Sequence, residues 1–165
     1  ENGFSSGIYT EIGLLHRLQE DFENSIMNYK KEIAESITND GIPGIGCMKA
    51  VNNLAVIRKK EKNVTKAIEL YKLALWLNSN YFEAYLGIAG LLDDFNLVLK
   101  CIARAFRIRP EDPAIHTILK MASTAFDIEE GRLIDELNTV LPEVDLARPL
   151  EELKIEKPKG VLDDM

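Results

Sequence analysis

The stretch Met48–Leu77, MKAVNNLAVIRKKEKNVTKAIELYKLALWL, decides how this chain folds. Met48, Val51, Leu54 and Ala55 recur at helical spacing, and so do Ala67, Leu70, Tyr71, Ala74 and Leu75. The polar run Lys60-Glu61-Lys62-Asn63 interrupts the apolar pattern, which reads as two helices joined by a short turn. Ala55, Ala67 and Ala74 stand where the two helices would touch. Small residues there let backbones approach and leave holes for larger neighbouring side chains. Neither helix can bury its apolar stripe alone, so the unit is a helical hairpin that needs neighbours.

The same slots recur on both sides. Aligning Ile12-Gly13 with Leu54-Ala55 sets Tyr9 beside Val51, Ser25 beside Ala67, Ile26 beside Ile68 and Tyr29 beside Tyr71. Glu32 then occupies the slot of Ala74, where looser packing is expected. Ser5 or Ser6 would cap the first helix. Between these hairpins, residues 40–46 (DGIPGIG) cannot continue a helix and read as an inserted loop. The second helix of the first hairpin is expected to run on and absorb part of it. Downstream, Tyr85, Ile88 and Ala89 repeat Val51, Leu54 and Ala55, and Ile102 and Ala105 fill the slots of Tyr71 and Ala74. Pro113 suits the first turn of a further helix with Asp112 as its cap. Ile115, Ile118, Leu119, Met121 and Ala122 continue the apolar face. A last helix is expected over residues 128–141, with Leu133, Ile134, Leu137 and Leu141 on one side.

These residues resemble the tetratricopeptide repeat, a family of 34-residue helix-turn-helix units. Leu54-Ala55 fills its large-then-small pair, and Ala67, Tyr71 and Ala74 fill its second-helix pattern. Lys62 or Asn63 stands where the family's turn has Gly, and Ser79 where it has Pro. The resemblance implies an all-α, right-handed α-α superhelix over residues 1–145, with units at about 6–39, 48–81, 82–112 and 113–141. The fourth unit fits the pattern poorly and reads as a cap. Residues 146–165 read as a linker or tail, with a short helix expected over 150–155.

Composition narrows the function. The chain has 165 residues, 46% hydrophobic and 28% charged, as in ordinary globular proteins. Its net charge of −7 opposes nucleic-acid binding, and no apolar run is long enough to span a membrane. It opens on Glu1, which points to processing or trimming, so the compartment is left open. Cys47 and Cys101 allow either free thiols or one disulfide. His16 and His116 have no ligand-spaced neighbours, and no nucleophile, zinc or phosphate-loop motif occurs, so no enzymatic activity, metal or cofactor is expected. Gly87 and Gly90 read as close helix packing, the acidic pairs as helix caps, and Asn63-Val64-Thr65 as a turn rather than a glycosylation site.

What remains is recognition of another protein, with this chain as a scaffold. The resemblance implies that first helices line a concave groove receiving an extended or helical partner segment. Projecting that groove gives Lys49, Asn52, Asn53, Val56 and Lys60, then Glu83 and Leu86, then Ile118 and Met121; Thr10, Leu14 and Arg17 extend it in the first unit. Asn53 has both donor and acceptor and could pair with a peptide backbone. The carboxylate clamp of the family's chaperone receptors is not reproduced: Thr10, Leu14, Glu83 and Leu86 stand at its basic and amide positions. Self-association as a homo-oligomer, through the convex face near Trp76 or an array end, is the alternative. A third reading lets the tail fill the groove.

Overall fold

The computed structural model describes residues 7–37, 42–148 and 150–157, and among them no strand occurs. The expected Ser5 or Ser6 cap lies outside the described residues. Among these residues eight α-helices follow one another: α1 (Ile8–Leu18), α2 (Phe22–Glu35), α3 (Met48–Lys60), α4 (Val64–Leu77), α5 (Phe82–Ala89), α6 (Phe95–Ile108), α7 (Pro113–Phe126) and α8 (Glu130–Val140). The chain divides into two compact units, Glu1–Asn78 with Glu156–Met165, and Ser79–Ile155.

In the first unit, α1 packs on α2, α3 on α4, and α3 also meets α1 and α2. Of the aligned slots, those of Tyr9, Ile12, Ile26 and Ile68 hold half-buried side chains and three pairs are interior in both hairpins. Tyr29 and Tyr71 are buried, as are Ser25 and Ala67, and Gly13 and Ala55. The two hairpin turns are built alike. Glu20 and Lys62 take the left-handed conformation (φ 61° each), so neither turn uses the family's Gly. Asp21 and Asn63 then cap α2 and α4, accepting from the backbone N–H of Asn24 and Lys66, both at 3.2 Å.

Glu32 departs from its expected role. Instead of packing loosely, it is fully buried, and its two carboxylate oxygens accept from the N–H of Gly7 (2.7 Å) and of Thr10 (3.0 Å). The first turn of α1 has no side-chain cap of its own, since Gly7 occupies the cap position. A carboxylate from α2 satisfies those donors and meets the positive end of the α1 dipole.

The connector after α2 also differs from expectation. Residues 22–35 and 64–77 give helices of 14 residues each, so α2 does not lengthen to absorb the insertion. Gly44 N–H instead donates to the Ser36 carbonyl (2.9 Å), and Ile37 and Pro43 form an antiparallel bridge. The extra residues are pinched off at their base.

The second unit repeats the hairpin in α5 and α6. Ile88, Ala89, Val98, Ile102 and Ala105 are buried at the slots matching α3 and α4, and Asp94 caps α6 by accepting from Leu97 N–H (3.0 Å). Asp112 caps α7 with Pro113 at its first turn, as expected. In α8, Leu133 and Leu137 are buried, whereas Ile134 is 46% exposed and belongs to the outer face. A single 3-10 turn, Glu151–Leu153, replaces the short helix expected over 150–155, and Leu153 is buried.

Candidate functional site

On α3, Val51, Leu54 and Ala55 turn inward, which leaves Lys49, Asn52, Asn53, Val56 and Lys60 on the opposite stripe. Lys49 is exposed, and Asn52, Asn53 and Val56 are half-buried in a row. Lys60 is exposed but not free of the fold, since its ammonium lies 5.1 Å from the centre of the Phe22 ring. The oxygen of the Asn52 amide is buried and finds no hydrogen-bond partner. On α1, Leu14 and Arg17 are half-buried and Thr10 is buried. The Thr10 hydroxyl and the Arg17 Nε also lack partners. A buried polar atom without a partner is costly and calls for an explanation.

In the second unit, Glu83 accepts from Arg109 (2.8 Å), whose guanidinium also lies 4.6 Å from the Phe82 ring centre. Its other oxygen is buried without a partner. Glu83 is therefore held by Arg109, the C-cap residue of α6. Leu86 is half-buried. Ile118, expected on the groove floor, is only 6% exposed and serves the core; Met121 is 48% exposed. With Thr117, Lys120, Thr124 and Ala125, Met121 borders a shallow apolar depression of about 500 Å³ on α7.

Nothing else in the described residues assembles a reactive centre. Burial raises the Cys47 thiol to about 11 and the Cys101 thiol to about 12, and both are free and fully buried. Such thiols are not nucleophiles at neutral pH. His16 Nδ1 lies 3.1 Å from Asp21 Oδ2. Asn24 holds the Asp21 carboxyl below its ordinary value through side-chain and backbone hydrogen bonds, and His16 adds to this. That cluster braces the α1–α2 turn. Among the described residues, no three metal-ligating side chains converge, and no helix is long and apolar enough to cross a membrane.

Sequence reasoning missed Arg104. It is 3% exposed in α6, between the buried Ala103 and Ala105. Its Nη1 donates to the Asp145 carbonyl (2.7 Å), and its Nη2 reaches the carbonyls of Leu146 and Arg148 and the side chain of Asn80. The guanidinium lies 5.6 Å from the Tyr85 ring centre. A basic residue inside a stripe of small buried residues was the available signal. No protein-family model matches the chain, and no curated protein matches it either.

Proposed function

We propose that the chain is a protein-interaction module built on tetratricopeptide-like hairpins, receiving an extended or helical partner segment on the stripe formed by α1 and α3. The observation that carries this reading is the half-buried row Asn52, Asn53 and Val56 on α3, with the half-buried Leu14 and Arg17 on α1. These groups suit the main-chain N–H and C=O of a peptide, with Val56 and Leu14 as apolar floor. Peptides selected from a random display library on the full chain would test it. Binding of such peptides is expected to weaken about fivefold to tenfold in Asn52→Ala and Asn53→Ala, about 1–1.4 kcal/mol each. It should be unchanged in Ile134→Ser on the exposed side of α8. Peptides indifferent to both α3 changes would overturn the reading.

A second reading, self-association, is favoured by a different surface from the one around Trp76, which is half-buried. Ile8, Leu15 and Leu18 are 59%, 61% and 69% exposed and lie at i, i+7 and i+10 on one face of α1. A second copy of the chain would cover them. Light scattering should then show a dimer that Leu15→Ser with Leu18→Ser converts to monomer. A wild-type monomer at all accessible concentrations excludes it.

A further inference from the structure

The segment from Leu141 to Lys154, expected as a loose tail from residue 146 onward, runs as a strap over α6. Among its described residues, the internal main-chain hydrogen bonds close local turns: Val144 to Leu141, Arg148 to Asp145, Leu153 to Leu150 and Lys154 to Glu151. What ties it to the helices is short to name. Arg104 collects three of its carbonyls, Lys100 pairs with Glu152, the Leu150 main chain reaches the Tyr85 hydroxyl, and among the described residues after Leu141 only Leu153 is buried. An element with few buried contacts and turn-only backbone bonding opens at low free-energy cost.

The fit beneath the strap is incomplete. A cavity of about 280 Å³ separates strap and helix, bordered by Lys100, Arg104, Val140, Asp145 and Leu150 among others. Arg104, though nine-tenths buried, pairs with no carboxylate among the described residues, and its Nε has no partner. A buried guanidinium satisfied only by neutral carbonyls, with a donor to spare and space beside it, holds a ligand that can be bettered.

We infer that the α6 surface around Arg104 is a second peptide-binding site, occupied in cis by the strap. Arg104 reads main-chain carbonyls, Lys100 takes a carboxylate, and the pocket of Leu153 takes the apolar residue beside it. Its partner in trans is an extended acidic segment carrying the pattern of Glu152-Leu153. Arg104 contributes no sequence selectivity, because the acceptors it takes from the strap are main-chain oxygens; Lys100 and the Leu153 pocket supply it.

The test uses the full chain and a fluorescent peptide of residues 141–157, read by anisotropy. Wild type should bind it weakly, because the strap competes from within the same molecule at high effective concentration. Leu153→Asp, which loosens the strap, should bind it at least tenfold more tightly, and Glu152→Lys should do so in a milder degree without touching a buried residue. Adding Lys100→Glu to Leu153→Asp should remove the gain. Equal affinity in wild type and both loosened variants overturns the proposal, as does a gain that survives Lys100→Glu.

Discussion

Glu32→Ala is expected to lower the free energy of unfolding by about 2–3 kcal/mol, although alanine is the residue that α4 and α6 carry at the same slot (Ala74 and Ala105). Two effects of opposite sign compete. Removing a fully buried carboxylate relieves its desolvation, which in some buried ion pairs makes apolar replacement stabilising. Here, however, the carboxylate's recorded partners include backbone N–H groups of the α1 first turn, and these cannot be replaced along with it. Hydrogen bonds to a charged acceptor contribute about 1.5–3 kcal/mol, and an amide buried without a partner costs a comparable amount. The helix also loses the negative charge at its positive end. The cap term wins. Chemical denaturation of Glu32→Ala beside Glu32→Gln checks this: both should be destabilised, the glutamine less. A more stable alanine variant would mean that desolvation dominates.

Gly13→Ala should also destabilise, by about 1–2 kcal/mol, where helix propensity alone predicts a gain of about 1 kcal/mol. A Cβ at Gly13 would stand 2.6 Å and 2.8 Å from ring carbons of Tyr29. The Tyr29 ring has no exposure and so no room to retreat, and overpacking of this kind costs about 1–3 kcal/mol. The Ser25 hydroxyl, donating to the Gly13 carbonyl at 2.7 Å, fixes α2 against α1 at the same level. The second unit offers the control, since Ala89 and Ile102 occupy the matching pair of slots there. Combining Gly13→Ala with Tyr29→Ile should therefore cost less than the two single changes summed, a coupling that thermal melts in a double-mutant cycle measure. Additive losses would show that the ring and the glycine do not meet.

Much of the fold was legible because it is written in side chains that recur. Tyr29, Tyr71 and Ile102 sit at equal depth, and Asp21, Asn63, Asp94 and Asp112 each cap the helix that follows. A periodic apolar stripe and an Asx cap are local signals. Glu32 and Arg104 were not legible for one shared reason: what they bind is main chain. The amides of Gly7 and Thr10, and the carbonyls of Asp145, Leu146 and Arg148, leave no mark in residue identity. A charged side chain in a helix therefore reads as surface. On the candidate site, α3 faces as its spacing implied, with Asn52, Asn53 and Val56 outward. Ile118 does not, because α7 turns that position into the core and leaves Thr117 and Met121 outside.

The stitched base of the connector between α2 and α3 has a practical side. Because Ser36 and Gly44 hold each other and Ile37 meets Pro43, α2 ends and α3 begins at positions set by the stem rather than by the length of chain between. Insertions between two clamped points add little closure entropy as they lengthen. A purification tag, a fluorescent reporter or an entire foreign domain spliced there would hang like a pendant from a closed ring, leaving the ends of α2 and α3 where the stem holds them.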